Sequence, residues 1–368
     1  MDKKVEKLDS RLEELNEEYS KTKYNKATNL HLGILRAKIA KVKREIVTAK
    51  KRRHGKGFFV KKTGDATVAL AGFPSTGKSS LINVMSNTKS KTAQYAFTTL
   101  TIVPGVMLYR DAHIQIFDMP GIIEGAHLGV GGGREVISAM RTADLLVFVV
   151  DVESAGTLKV LINELKQLNI YVNKPEPQIK IVGMDQGGVK IDVNMSKLPS
   201  DYIKEIFSGL GMHNCHVQIN EDISEEELIA FAAEKAQYVK AIAALNKIDL
   251  NENYEKIAEL LEKENRIEVI PISAKEMINL DRLKDAIYNN LGIMTIRLAP
   301  KGGAKSGKPM IVRKGSRVGD VAKKLHTEIV DELKCAQIVG KSAKFPNQKV
   351  GVTHVLNDGD IITFIKNK

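Results

Sequence analysis

Cysteine is almost missing: the 368 residues hold only Cys215 and Cys335, far apart and outside any metal-ligand spacing. That excludes a disulfide framework and a cysteine zinc site, and it suits a reducing cytoplasm. Long hydrophobic runs are missing too. Although 43% of the residues are hydrophobic, no stretch approaches the roughly 18 to 20 apolar residues that a bilayer-spanning helix needs. The opening MDKKVEKLDS has no apolar segment behind its charges. The expectation is a soluble, cytoplasmic chain without a membrane partner. His113, His127, His213, His216, His326 and His354 stand in no metal spacing with acidic or cysteine partners.

The charge is unevenly spread. The chain carries 56 Lys and Arg against 44 Asp and Glu, a formal net charge of +12. Residues 1–62 hold 19 basic and 8 acidic side chains, residues 293–368 hold 15 and 6, and the stretch between holds 22 and 30. A mildly acidic middle thus lies between two basic ends, as expected of a catalytic or switching core whose appendages face a polyanion. At about 100 to 200 residues per domain, the length allows two to four domains with real cores.

The first block reads as a helical hairpin. Leu8, Leu12, Leu15 and Tyr19 form one stripe, and Leu35, Ile39, Val42 and Ile46 another, each at spacings of three and four. Thr28 or Asn29 is the expected N-cap of the second helix. The run AKKRRHGKG at 49–57 reads either as a segment ordered by a partner or as a solvated linker, and its charge density favours the partner.

From Thr67 the pattern changes to short apolar runs: TVALAG, HIQIFDMPG, LLVFVVD, AIAALNKID and IEVIPISAK. Runs apolar on both faces suit the strands of a parallel sheet covered by helices on each side, a doubly wound α/β domain. The step from the strand at 145–151 to the strand at 241–246 far exceeds the roughly 30 residues of a βαβ unit. A small module is therefore inserted at about 170–235, where QIKIVGMDQGGVKIDVN reads as two strands joined by a glycine turn and SEEELIAFAAEKA as a helix. After Gly292 come the glycine-rich KGGAKSG, one helix near 318–330, and a closing strand beyond a turn at Asp358 and Gly359. These outline a small α+β module.

The strongest chemical signal is GFPSTGKS at 72–79, a full G-x-x-x-x-G-K-[ST] run that follows the strand TVALA and precedes the helix-compatible SLINVMSN. Glycine turns let successive backbone N–H groups point at a phosphate, on the end of a helix whose dipole favours anions. Lys78 then reaches the β and γ phosphates, and the Ser79 hydroxyl coordinates Mg²⁺. Asp118 and Gly121, in DMPG at a strand end, fit a carboxylate that holds Mg²⁺ through water and a glycine whose N–H approaches the γ phosphate. NKID, at 246–249, ends another strand. A carboxylate at Asp249 can accept both N1–H and N2–H of guanine, and adenine offers no such donor pair; leaving it unpaired would reject the wrong base by up to about 10⁴ or more. Ser273, Ala274 and Lys275 can supply a backbone N–H to the guanine O6.

These stations in this order resemble the translation-factor-related GTPases. YAFTTLTIVPG at 95–105 and DMPGIIEGAHLGVGGGRE at 118–135 are similar to the Obg-related group. The N-terminal hairpin, the mid-domain insert and KFPNQKVGVTHVLNDGD at 344–360 resemble the developmentally regulated GTP-binding protein family, over essentially the whole chain. The resemblance implies an α/β, doubly wound P-loop GTPase domain at 63–292, after a hairpin with basic linker at 1–62. It also implies a small α/β insert at 170–235, a C-terminal β-grasp (TGS-like) domain at 293–368, and association with ribosomes. It makes Thr99 the switch I residue that closes on Mg²⁺ and γ phosphate, with Thr98 the alternative. The expected nucleotide contacts are Gly72, Phe73, Pro74, Ser75, Thr76, Gly77, Lys78, Ser79, Ser80, Phe97, Thr98, Thr99, Asp118, Gly121, Asn246, Lys247, Asp249, Ser273, Ala274 and Lys275. Lys78, Thr99, Asp118 and Gly121 would act in catalysis, and Ser79, Thr99 and Asp118 on the metal.

Ile122 stands where a water-orienting glutamine would follow the D-x-x-G glycine, and isoleucine cannot hydrogen-bond water. Slow intrinsic hydrolysis, faster on an activating partner, is the expectation. Related GTPases that use potassium often carry asparagine at the position of Ser75, which leaves K⁺ stimulation open. Gly129 and Gly131 to Gly133 suit a loop that reorganises between GDP and GTP states. Arg134 and Arg141 read as surface or salt-bridge residues, not as an arginine finger. The primary reading is a GTP-hydrolysing, ribosome- or RNA-associated switch. The alternative is an RNA-binding assembly or stalling factor in which bound GTP is mainly structural. An ATP-using P-loop enzyme is disfavoured by Asp249.

Overall fold

The structure is a computed structural model describing residues 3–23, 28–51, 64–86, 104–118, 143–194, 196–233, 236–300, 307–325 and 333–366. Two helices open the chain, α1 (Lys3–Lys21) and α2 (Asn29–Lys51). Leu8 and Val42 close the hairpin between them, with Leu12 and Leu15 alongside. There follow β1 (Ala66–Ala71), α3 (Lys78–Met85), β2 (Pro104–Tyr109), β3 (Ala112–Asp118), β4 (Leu145–Asp151) and α4 (Thr157–Gln167). The insert comprises β5 (Ile170–Val172), β6 (Ile179–Gly183), β7 (Val189–Val193), α5 (Ser200–Gly209), β8 (Cys215–Ile219), α6 (Glu225–Ala232) and β9 (Gln237–Val239). The chain returns through β10 (Ala241–Asn246), α7 (Tyr254–Asn265), β11 (Val269–Pro271) and α8 (Leu280–Asn290). It ends in β12 (Ile293–Leu298), β13 (Lys308–Arg313), α9 (Val318–Leu325), β14 (Leu333–Val339), β15 (Gln348–Val350) and β16 (Ile361–Lys366).

The chain divides into two compact units: Met1–Phe59 with Leu165–Tyr238, and Val60–Glu164 with Val239–Lys368. In the first, the two strands read around the glycine turn, β6 and β7, are both present but do not pair. β8 lies between them, antiparallel to β6 and parallel to β7. All three strands alternate and face one core. The inward residues Cys215, Val217 and Ile219 of β8 are buried, while Ile179, Ile181, Val189, Ile191 and Val193 of β6 and β7 are only partly so, as expected of a central strand between two edges. α5 and α6 cover that face through Tyr202, Ile203, Ile206, Phe207, Leu228 and Ile229.

Helix α2 is buried from two sides. Ala37 belongs to the insert's core, and a Cβ at Gly33 would come within 2.0 Å of the Tyr202 hydroxyl. Glycine in a helix costs about 0.5–1 kcal/mol relative to alanine; here it gives α5 room to approach. Charge then fixes the contact. Glu225 accepts from the Tyr202 hydroxyl at 2.5 Å and from the Arg36 guanidinium at 2.9 Å, and Arg36 also donates to the Tyr19 hydroxyl at 2.9 Å.

In the second unit a six-stranded sheet runs β11-β10-β4-β1-β3-β2. All its pairs are parallel except β2 with β3. Every residue of β1, β4 and β10 is buried, as expected of central strands with helices on both faces. The edge strand β2 is the element the apolar-run pattern had not marked. It joins β3 through a two-residue turn at Arg110 and Asp111, both at positive φ (+49° and +66°), the conformation a tight hairpin needs.

The C-terminal sheet runs β13-β12-β16-β14-β15, with β12 and β16 parallel. α9 packs Val318, Val321 and Ala322 onto Met294, Ile296, Ile338 and Ile362. This is a β-grasp arrangement. The β2–β3 turn ties it to the larger sheet. The Arg110 guanidinium lies over the Tyr109 and Tyr288 rings and pairs with Asp285. Its carbonyl accepts from the Thr295 hydroxyl at 2.9 Å, and Arg297 meets Asp111 at 3.1 Å. Among the described residues, no helix is long and apolar enough to cross a membrane.

Candidate functional site

Four strand ends, those of β1, β3, β10 and β11, and the loops after them build the site, all within the second unit. β1 ends at Ala71, and the chain turns through residues 72–77 into α3. Gly77 is the N-cap, at φ +94°, left-handed backbone that glycine adopts without strain. A Cβ there would sit 2.3 Å from the Asn246 amide nitrogen. Ser75 also has positive φ (+65°) and is exposed. Lys78 is 9% exposed and donates to the carbonyls of Gly72 (3.0 Å) and Phe73 (2.9 Å). Thr76 donates back to the Phe73 carbonyl at 3.0 Å. The loop is thus pulled around the ammonium group, while the first N–H groups of α3 have no intrahelical acceptor.

Asp118 ends β3, and the Ser79 hydroxyl reaches it at 3.4 Å. Burial pushes the Asp118 carboxyl up, against the pull of Lys78 and Ser79. Burial likewise pushes Lys78 down, against the attraction of Asp118. Loss of water outweighs mutual attraction at both charges, a state that added phosphate and metal charge would relieve. The second oxygen of Asp118 is buried without a hydrogen-bond partner among the described residues. A hydroxyl and a carboxylate oxygen form a hard oxygen donor set, which fits hydrated Mg²⁺.

β10 delivers the candidate base contacts. Asn246 is buried; its amide donates to the Thr76 carbonyl at 2.8 Å, and its oxygen accepts the Ala274 N–H at 3.0 Å. One side chain therefore joins the loop after β1 to the loop after β11. Lys247 takes left-handed backbone (φ +61°) to start the 3-10 turn Ile248–Leu250. Its ammonium meets Asp151, the last residue of β4, at 3.0 Å. Asp249 is exposed and accepts from the Ser273 hydroxyl at 2.6 Å. That bond is the main reason its carboxyl lies below the ordinary range, so it presents a charged acceptor. Lys275 is exposed and pairs with Glu276 at 3.1 Å.

Residues 72–80, Asp118, Asn246, Lys247, Asp249 and residues 273–275 are gathered at the carboxyl ends of parallel strands, where ligands bind in open α/β sheets. Phe97, Thr98, Thr99 and Gly121 lie outside the described residues, as do Ile122, Gly129, Gly131 to Gly133, Arg134 and Arg141. Sequence reasoning missed Asp151. Burial pushes its carboxyl up, but bonds from Ser154 and Lys247 outweigh this and hold it low. The signal was present in LLVFVVD, an acidic residue closing an apolar strand beside a known one.

Comparison with known proteins agrees with this geometry. Residues 67–183 match the family described as 50S ribosome-binding GTPase, residues 186–293 the C-terminal region of that domain, and residues 294–366 the TGS domain. An uncharacterized GTP-binding protein of Methanocaldococcus jannaschii is 42% identical over 97% of this chain and 93% of its own length. The developmentally-regulated GTP-binding protein 1 of Xenopus laevis is 38% identical over 97% of this chain and 98% of its own. Ribosome-interacting GTPase 1 of Saccharomyces cerevisiae is 36% identical over 97% and 98%. The solved Schizosaccharomyces pombe YchF GTPase shares the fold at a TM-score of 0.51 and 15% identity, covering 84% of this chain and 100% of that one. The chain belongs to the family of GTP-binding proteins that join a P-loop GTPase domain to a C-terminal TGS domain.

Proposed function

We propose that this protein is a Mg²⁺-dependent GTPase of the developmentally regulated type that switches its association with the ribosome or other RNA according to the bound nucleotide. The observation that carries the nucleotide part is the pair of hydrogen bonds made by Asn246, to the Thr76 carbonyl and from the Ala274 N–H, which ties the phosphate loop to the proposed base-reading loop. In this reading Lys78 and the N–H groups of residues 72–80 hold the phosphates. Ser79, Asp118 and Thr99 hold Mg²⁺, whose charge would stabilise the transferring phosphoryl oxygens. Gly121 supplies an N–H to the γ phosphate. Asp249 accepts the guanine N–H groups, Ser273 keeps that carboxylate ionised, and the backbone of residues 273–275 faces O6.

The ribosome part rests on the two basic ends and on a relative named as ribosome-interacting. A hairpin with its basic linker at 1–62, the GTPase domain at 63–292 with its insert at 170–235, and the β-grasp at 293–368 are the proposed working parts. Ile122 gives no water-orienting group, so turnover of the free protein is slow, well under about 1 s⁻¹, and rises on a stabilising or activating partner. The same residue favours a second reading, an RNA-binding assembly factor in which nucleotide is structural. Co-sedimentation with ribosomes, with GDP and with a non-hydrolysable GTP analogue, separates the two. Different affinities support the switch; equal affinities remove it, since a ligand without preference between states shifts nothing.

A further inference from the structure

Phe345 is 60% exposed, and it is the one exposed phenylalanine among the described residues. A lone apolar side chain at a surface is ordinary; its setting is what distinguishes this one. The ring stands at the first corner of a tight turn, Phe345-Pro346-Asn347-Gln348. The Gln348 N–H donates to the Phe345 carbonyl at 3.3 Å, and Asn347 has φ +60°. Proline second and asparagine at positive φ third are the requirements of a type II turn. The Gln348 side chain also accepts the Lys344 N–H at 2.7 Å.

The base of this loop is pinned from below. Asp360 is wholly buried, and its two oxygens accept the N–H groups of Ser342 (3.2 Å) and Asn357 (2.7 Å). The Ser342 hydroxyl and His354 Nε2 lie 3.1 Å apart, joining this loop to the next. An aromatic ring is therefore held out on ordered backbone, and little conformational freedom is left to lose on binding.

The charge along the loop sequence has one sign. From Gly340 to Leu356 the chain contains Lys341, Lys344 and Lys349 and no acidic residue, and all three lysines are exposed. An exposed π face on a stretch of chain whose charged side chains are all exposed lysines matches a single-stranded nucleic acid, whose bases stack while its phosphates meet the cations. Duplex RNA hides its base faces, and an acidic peptide would use the lysines without the ring. We propose that Phe345 is the stacking platform for an unpaired RNA base, with Lys341, Lys344 and Lys349 holding the flanking phosphates. This rests on the RNA-facing reading above and names the residues of the β-grasp that carry it.

The chain contains no tryptophan, so Phe345→Trp places a unique fluorophore at the platform of the full-length protein. Titration with a single-stranded oligoadenylate should quench it, and a blunt RNA duplex or polyglutamate should not. Adding Lys344→Gln and Lys349→Gln should move the quenching midpoint to higher RNA concentration. It should also flatten the salt dependence by about 1.4 log units per decade, the change expected when two phosphates of a single strand are no longer neutralised. Matching thermal unfolding of all variants establishes that the fold is kept. An unresponsive fluorophore at saturating oligoadenylate, equal quenching by duplex or polyglutamate, or an unchanged salt slope would each overturn the proposal. Nucleotide-dependent ribosome binding by the unmodified protein is a separate readout. If it persists beside a silent fluorophore, only the platform falls; if it is missing beside a quenched one, only the switch falls.

Discussion

The side-chain amide of Asn246 lies 2.8 Å from the carbonyl of Thr76, 170 residues away in sequence. Through its other atom it holds the Ala274 N–H at 3.0 Å. Replacing Asn246 by alanine leaves a buried carbonyl and a buried N–H without their partner, at about 1–3 kcal/mol each. Asn246→Asp keeps the acceptor but loses the donor. We expect Asn246→Ala to lower thermal stability and GDP affinity together, and Asn246→Asp, which sets a buried carboxylate oxygen against the Thr76 carbonyl, to lower both at least as much. Thermal unfolding and titration with a fluorescent GDP analogue read the two effects. Gly77→Ala should resemble Asn246→Ala, because its Cβ would displace the same amide.

Asp249 selects the base in this account. Asp249→Asn replaces an acceptor pair by a group that donates toward guanine's own donors. The expected outcome is a fall in preference for GDP over xanthosine diphosphate of at least about 10²-fold, within the range a mismatched polar site produces. Competition titrations with the two nucleotides measure it, and unchanged guanine selectivity would refute the assignment.

The pH dependence follows from the Ser273 bond, which lowers the Asp249 pKa. A carboxyl whose folded pKa is depressed stays charged above the ordinary value of about 3.9 and loses its contribution only as pH falls through the lower folded value. GDP affinity should therefore hold from neutrality down to at least about pH 5 as far as this group is concerned. In Ser273→Ala the acid decline should begin at higher pH. Fluorescent-nucleotide titrations across acid pH test this, and coincident acid limbs in the two proteins would count against Ser273 as the tuning group.

Arg110 links the β2–β3 turn to α8, stacking on Tyr109 and Tyr288 and pairing with Asp285. Since the pair is nearly half exposed, most of its worth lies in the ring contacts. Arg110→Ala should cost about 1–2 kcal/mol of stability, read by denaturant unfolding, while Arg110→Lys should recover part of the charge and little of the stacking.

Much of the candidate site was legible because its residues sit in short local patterns. GFPSTGKS, Asp118 and NKID each close an apolar strand, and a parallel sheet brings strand ends together. Their mutual bonding was not legible: nothing in the sequence says that Asn246 spans two loops, or that Asp151 holds Lys247. The insert was only partly read. Tyr202, Ile203, Ile206 and Phe207 repeat at helical spacing, and Cys215, Val217 and Ile219 alternate, yet both runs are short and lie between turns. All three strands alternate and face the same core, so nothing local says which of them is central; pairing order is a tertiary property. The hairpin's second buried face was hidden for the same reason, since Gly33 and Ala37 carry little hydrophobic signal and matter through the space they leave.

The most direct test is a crystal structure of the protein with Mg²⁺ and a non-hydrolysable GTP analogue. The account predicts one nucleotide with its phosphates against residues 72–79, its metal beside Ser79 and Asp118, and its guanine edge on Asp249. Phosphates at Lys78 with the base turned away from Asp249, or a guanine at Asp249 whose phosphates lie elsewhere, would contradict it.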